Sequence, residues 1–426
     1  MTGAAPPATA RLRRLQAVGV LSGFAAGAWL GAAEAPTKVV TLGISPVAIS
    51  LVMVLGVFLA RWSLPALIRG TANIGVDVRH APHLVAWALM AGCLWAVANT
   101  LTIFAIRDIG LSIAFPLWNT NSLLGIVWGA VLFNELRGAG RARWLGVAGG
   151  ATAMFAGALV LAAASPAQAP AGHAVRGIVA AIGAGVLWGT MYIPYRKAYL
   201  TGMNPLSFVT FFTIGELGMM SVLALTYLGG PAGTWRELVG ARGVLFWLLL
   251  GGFIWVVGDL FQQYAAKYIG IGRGIPLSNT NQLWGLLWGL LVFGELAGAD
   301  RTTYVQVVGG SLVMALGAAA IALSTAREME LRHWRAAAER EAARYGVDRA
   351  YVDARLAGED PEARRGRSVW DWLIVGTATA VFVAFAAGAR APQLTIHHGW
   401  AAGLVLALLA LLGGGGWALW RTTRFG

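Results

Sequence analysis

Charge is what this sequence has least of. Asp, Glu, Lys and Arg together make up 12% of its 426 residues, about half the share of an ordinary soluble domain, which excludes a water-soluble globule. A single cysteine, Cys93, rules out an intrachain disulfide, and six scattered histidines give no metal-ligand spacing. There is no Gly-Lys pair and hence no P-loop, no His-Glu-x-x-His, and no serine in a nucleophile elbow. The expectation is a protein that is not an enzyme, holds no cofactor or metal, and draws on an ion gradient for any uphill work.

What is abundant is apolar sequence. Hydrophobic residues make up 58% of the chain, gathered into stretches near 17–34, 45–62, 83–106, 110–134, 144–164, 177–195, 205–228, 243–265, 274–294, 303–323, 371–388 and 399–420. Each is close to the roughly 20 residues that cross a bilayer as a helix, so the expected fold class is all-α and polytopic, embedded in lipid. With Arg11, Arg13 and Arg14 in the cytoplasm, alternate loops carry 25 basic residues, among them Arg61, Arg69, Arg196, Lys197 and ten arginines from Arg327 to Arg367; the opposite loops carry 7. That bias places both termini on the cytoplasmic side of a cytoplasmic-membrane protein. It also accounts for the net charge of +13 without nucleic acid as a partner.

Three arginines ahead of an apolar run and small residues near Gly31 have the form of a cleavable leader. Internal repetition argues the other way. The segment Phe115 to Gly129, with Pro116-Leu117-Trp118-Asn119-Thr120-Asn121, recurs 160 positions later as Ile275 to Gly289, with Pro276-Leu277-Ser278-Asn279-Thr280-Asn281. The same offset pairs Trp95 with Trp255, Asn99 with Asp259 and Glu135 with Glu295, and an offset of 159 pairs Pro46 with Pro205. The first span thereby has a counterpart in the sixth and belongs to the fold. Each copy holds five spans, an odd number, so the second enters the membrane from the opposite side. The expected architecture is a ten-helix inverted repeat (5+5) plus two extra C-terminal transmembrane helices. Residues 1–164 form the first repeat and 177–323 the second; 325–368 is a charged cytoplasmic segment lying near anionic headgroups, and 369–426 holds the added pair. Inverted repeats alternate between two facing states around a midplane site.

The fourth span of each copy closes with Phe133-Asn134-Glu135-Leu136-Arg137 or Phe293-Gly294-Glu295-Leu296, ahead of a glycine-rich fifth span. In this, residues 16–323 resemble the drug/metabolite transporter superfamily. The Pro-x-x-Asn-Thr-Asn element, the run Gly189-Thr190-Met191-Tyr192-Ile193-Pro194 and nearby Lys197 look most like its glucose/ribose porter group. The resemblance implies a secondary active transporter that moves a small neutral polar solute, a sugar, by alternating access. Export of drugs or metabolites, as elsewhere in that superfamily, is the second reading, and a sensor or scaffold acting through 325–426 the third.

A charge near the middle of a span costs roughly 2.5 to 3.5 kcal/mol on insertion scales, so each one present is a candidate for function. Asp259, where the first copy has neutral Asn99, is the leading candidate for proton coupling. Glu216, between glycines in the seventh span, is the second, with Arg196 or Lys197 as its expected partner in a structural role. Glu34 is expected to reach the interface, and Glu135 and Glu295 to snorkel or to cap neighbouring helices. Asn119, Asn121, Asn279 and Asn281 lie at i and i+2, which do not share a helix face, so proline is expected to leave the segment partly unwound. Amides and freed carbonyls there suit a polyhydroxylated solute; tying helices together is their other role. Trp128 and Trp288 are candidate stacking faces for a sugar ring, and Asn99 and Tyr192 complete the substrate set. Expected partners are the solute, protons and lipid, with a homodimer left open.

Overall fold

The computed structural model describes residues 8–33, 35–36, 44–109, 114, 117–163, 174–294, 298, 300–324, 328–360, 362–364, 366–390 and 396–425. Every regular element among them is helical, in the order α1 (Ala8–Ala32), α2 (Pro46–Ile68), α3 (Ala72–His80), α4 (His83–Ile109), α5 (Asn121–Phe133), α6 (Arg141–Ala163), α7 (Ala174–Leu200), α8 (Pro205–Tyr227), α9 (Gly230–Gly240), α10 (Leu245–Ile269), α11 (Ile271–Ser278), α12 (Asn281–Leu287, continued by a π-helical turn Trp288–Val292), α13 (Arg301–Leu323), α14 (Glu328–Tyr345), α15 (Arg349–Leu356), α16 (Val369–Ala387) and α17 (His398–Thr423). Ten of these are long and apolar enough to cross a membrane. Large apolar side chains such as Leu145, Val305, Leu316, Val383 and Leu406 project outward from α6, α13, α16 and α17, a surface that lipid covers and water would not. The chain is a multi-pass helical membrane protein.

Helix starts follow from local chemistry. Ser45 accepts from the Ala48 amide at 3.2 Å ahead of Pro46, and Asn204 accepts from Leu206 at 2.9 Å ahead of Pro205. In each case a side-chain oxygen caps an orphan amide and proline takes the first helical position, where no amide is needed. The fourth and ninth spans, expected to be partly unwound near their prolines, are each interrupted at the repeated Asn-Thr pair. α5 begins only after a turn at Asn119-Thr120, and α11 and α12 are parted by a turn at Asn279-Thr280. The carbonyls this leaves behind are taken up locally, Leu117 by the Thr120 hydroxyl at 2.8 Å and Leu277 by Thr280 at 2.9 Å. Apolar surroundings demand such internal satisfaction.

The closest backbone approaches come in matched sets. A Cβ on Gly56 of α2 would strike the Leu249 carbonyl of α10, and one on Gly215 of α8 would strike Leu89 of α4, 159 and 160 positions away respectively. Gly252 against Met53 is matched in the same way by Gly92 against Phe212, and Gly150 against Gly317 by Gly310 against Gly157. Gly27 and Gly31 of α1 meet the turn at Ser278 to Asn281, as Gly185 and Gly189 of α7 meet the turn at Trp118 to Asn121. Trp95 and Trp255, matched residues themselves, touch edge to face with centroids 5.1 Å apart.

The added C-terminal part is integrated with the bundle. α16 lies along α2 and α10, with Phe382 edge-on to Phe253 at 5.3 Å, and α17 lies along α1. Between them, α14 and α15 fold onto the ends of α2, α3 and α7. Glu341 pairs with Lys197 at 2.6 Å, the Trp334 ring lies 4.4 Å from the Arg196 guanidinium, and fully buried Arg355 pairs with Asp77 at 2.6 Å and Asp360 at 2.6 Å. Asp77 also accepts from Arg69 at 3.0 Å, Tyr351 at 3.0 Å and Ser207. Burial alone would push the Asp77 carboxyl up; the Arg69 and Arg355 guanidiniums and the Ser207 hydroxyl hold it below the ordinary carboxylate range.

Candidate functional site

α2, α8 and α10 meet around one side chain that the sequence reading assigned to a loop. Arg61 lies inside α2 with no solvent exposure, and its guanidinium donates to Glu216 Oε2 at 2.7 Å and Asp259 Oδ2 at 2.8 Å, both carboxylates being equally buried. The cation also lies over the Phe212 ring at 4.1 Å and near the Trp255 ring at 5.2 Å. Two aromatic faces thus lend their negative quadrupoles to a charge already held by two carboxylates. Asp259 Oδ1 accepts from Gln263 Nε2 at 2.9 Å, and the Tyr199 hydroxyl donates to the other end of that amide.

This geometry brings the two expected coupling residues together and corrects their partners. Glu216 meets Arg61, while Arg196 pairs with Glu135 at 2.7 Å and Lys197 with Glu341. Arg69, Arg196 and Arg273, also expected in solvated loops, are buried at helix ends. Glu135 accepts from the Ile271 and Gly272 amides at 3.1 and 2.9 Å and so occupies the N-terminus of α11. Gly270 turns the chain there with φ of 83°, and a Cβ would run into the Glu135 carboxylate. Glu34 and Glu295 lie outside the described residues.

The asparagines form a second polar group. Asn279 donates to Asn121 Oδ1 at 3.1 Å and to the Ser122 hydroxyl, joining the two interrupted spans. Asn119, Ser122, Phe155, Asn279 and Gln282 line a cavity of about 10 Å³ there, room for no more than about one water. The conformation is therefore closed at the asparagines. Asn119 Nδ2 and Asn281 Oδ1 are buried without a partner. Asn99, matched to Asp259, donates to Ser50 at 2.6 Å instead of joining the arginine. Trp128 and Trp288 belong to different apolar clusters, Trp128 with buried Tyr192, Trp288 with Trp29 and Tyr264, and both indole N–H groups are buried without an acceptor. Of the expected set, the structure unites Asp259 with Glu216 and Asn121 with Asn279, bonds Asn99 to Ser50, and packs Trp128 on the apolar cluster that holds Phe212, Trp255 and Tyr192.

The sequence reading missed Arg61 and Gln263. For Arg61 a signal existed: Trp62, Leu64, Leu67 and Ile68 continue the apolar run beyond it, so the span is longer than the stretch ending at 62. Gln263 sits one helical turn after Asp259, the spacing at which side chains on one helix meet.

No protein-family model matches the chain. A curated protein of Listeria innocua named "Putative sugar uptake protein" is 24% identical over 230 residues, 53% of this chain and 75% of its own length. One of Listeria monocytogenes with the same description aligns with the same identity and coverage. A solved structure titled only as that of a protein is 17% identical and covers 71% of this chain and 97% of its own, with a TM-score of 0.45, a likeness too loose to bear on function.

Proposed function

We propose that this chain is a secondary active transporter that carries a small neutral polar solute, a sugar, across the cytoplasmic membrane by alternating access, coupled to protons through Asp259 and Glu216 and leaving the solute chemically unchanged. The observation that carries the reading is the sealed cluster of Arg61, Glu216 and Asp259. Ionised groups inside a membrane protein are expensive and mark ion pathways, and here they join one helix of the first copy to two of the second. The matched backbone approaches at Gly56 and Gly215, Gly92 and Gly252, and Gly150 and Gly310 support two inverted five-helix halves that rock against each other. The sugar is supported by the names of the two Listeria relatives. It is supported further by buried amide and indole groups at Asn119, Asn281, Trp128 and Trp288 that lack partners in the closed conformation, donors and acceptors that hydroxyl groups would satisfy once the interrupted spans part.

The test is uptake of a panel of radiolabelled sugars into proteoliposomes holding the full chain, with and without an inward-acidic or outward-acidic pH gradient. A sugar whose accumulation follows the gradient is expected. The absence of sugar-dependent flux under every gradient would refute the reading.

A further inference from the structure

Of the two carboxylates on Arg61, we propose that Glu216 carries the coupled proton while Asp259 stays ionised as the fixed partner of the arginine. The inference rests on the proton-coupling part of the proposed function and specifies its site. One guanidinium faces two carboxylates, all without solvent exposure, so the cluster is one charge short of balance when both acids are ionised. An uncompensated buried charge is costly, and a single bound proton removes it. The question is which oxygen holds that proton.

Three of the four carboxylate oxygens already accept a hydrogen. Asp259 Oδ2 accepts from Arg61 Nη2 at 2.8 Å, Asp259 Oδ1 from Gln263 Nε2 at 2.9 Å, and Glu216 Oε2 from Arg61 Nη1 at 2.7 Å. The Tyr199 hydroxyl, donating to Gln263 Oε1, turns that amide so that its NH₂ and not its oxygen faces Asp259. A proton placed on any of those three oxygens would point at a donor. Glu216 Oε1 is the fourth; it is buried and receives no donor. One turn earlier on α8 the buried Thr213 hydroxyl lies close to Glu216. A hydrogen on Oε1 finds no donor in its way, has the Thr213 hydroxyl oxygen within reach as an acceptor, and leaves every other bond of the cluster in place.

The other ionisable groups around Glu216 do not supply a competing proton site. Arg61 comes from α2 and Asp259 from α10; α7 contributes Tyr192, Tyr195 and Tyr199, of which Tyr195 stands edge-on to Phe212 at 5.7 Å. From α4 the Cys93 thiol donates to the Gly215 carbonyl at 3.5 Å. Asp77 of α3 meets α8 only at Ser207 in its first turn, and Arg236 and Glu237 of α9 lie past its other end. The step itself is a proton transfer: Glu216 Oε1 gains a proton from water on one side of the membrane and returns it to water on the other, with no other bond made or broken.

Infrared difference spectroscopy of the full chain in proteoliposomes, taken across a pH titration, reads this directly as the carbonyl stretch of a protonated carboxylic acid. The band is expected in the native protein, lost in Glu216→Gln, which has nearly the shape of the protonated acid and so preserves the fold, and unshifted when the native protein carries ¹³C-labelled aspartate, since the proton then sits on a glutamate. A band that survives Glu216→Gln, or the lack of one in the native protein, overturns the assignment. The label tells the two acids apart without changing the charge of the cluster: a band that shifts with ¹³C-aspartate overturns the proposal, and one that stays supports it. Sugar uptake is scored separately. A chain that moves no sugar yet loses the band in Glu216→Gln sinks the sugar reading and leaves the proton site standing.

Discussion

Asp77 pins the C-terminal segment to the membrane helices, and replacing its charge tests whether that segment is part of the fold. Four donors converge on its carboxylate, Arg355 at 2.6 Å, Arg69 at 3.0 Å, Tyr351 at 3.0 Å and Ser207. With Asp360, which pairs with both arginines, the ion-paired groups are two guanidiniums against two carboxylates, and the Lys267 ammonium lies nearby over the Tyr268 ring at 5.6 Å. Asp77→Asn leaves both arginines to one aspartate, and Arg355→Met leaves both aspartates to one arginine. Removing one partner of a buried pair costs roughly 3–5 kcal/mol, because the other charge is left uncompensated. The double variant removes one charge of each sign, so its loss should fall short of the sum of the single losses by about 0.5–3 kcal/mol, the coupling usual for residues in contact. The assay is unfolding of the purified full chain in denaturing detergent, run beside trypsin cleavage at the arginines of 349–367 to report release of the segment. Strict additivity, or single variants as stable and as protected as the native chain, would refute the reasoning.

Acid gives the same cluster a second test. A carboxyl held below its free value of about 3.9 stabilises the docked segment at every pH above that value, and the contribution fades only as pH falls through the folded pKa. Docking should therefore stay level from about pH 5 to 8 and weaken in stronger acid; release within that span would put another group in control. Gly215→Ala drives a methyl into the Leu89 carbonyl and should cost about 1–3 kcal/mol; Gly56→Ala should cost a similar amount, and thermal unfolding in which only one suffers would break the equivalence of the halves. Asn279→Ala deletes the donor to Asn121 and Ser122, a loss of about 1–3 kcal/mol for the acceptors left unsatisfied. If melting temperature falls while solute affinity holds, Asn279 ties helices together and leaves the substrate set. Single cysteines at Ala336 and Gln393 in a Cys93→Ser background should be labelled by an impermeant thiol reagent on intact cells at 393 only, and labelling at 336 would reverse the orientation.

The spans and the interrupted segments were legible because each has a local cause. Uninterrupted apolar length makes a membrane helix, and a proline followed by a repeated Asn-Thr pair breaks one in a predictable place. The second span was bounded at 62, although the helix runs on past Pro65 to Ile68, proline being tolerated in membrane helices. That boundary put Arg61 with a loop. The ion pairs themselves join residues 155 and 198 positions apart, and nothing local encodes such a meeting. The charged stretch after 327 reads as a solvated helix by composition. Trp334, Tyr345 and Tyr351 were the sign that it has a buried face: Tyr345 stacks on His83 at 3.8 Å and Tyr351 on His80 at 4.1 Å.

Met220, Val57 and Asn99 occupy the positions matched to Arg61, Glu216 and Asp259, so the backbone contacts repeat while the charges do not. Two equivalent halves that exchange conformations would give two facing states of equal energy; only unmatched groups can tilt that balance, and only by the difference in their contacts between the states. The docked C-terminal segment is one such group, for it ties Asp77 beyond α2 to Lys197 at the end of α7 and covers one face of the bundle. On the proposed alternating-access reading, it would favour conformations in which that face is shut. The balanced double variant Asp77→Asn with Arg355→Met should weaken the docking without leaving a stranded charge. A cysteine at Thr201, fully buried beneath the segment, should then react faster with a soluble thiol reagent in that variant than in the native background, both lacking Cys93. Equal rates, with trypsin cleavage confirming that the segment has come away, would mean that the bundle closes this face by its own helices and that the segment adds nothing to the balance between the two states.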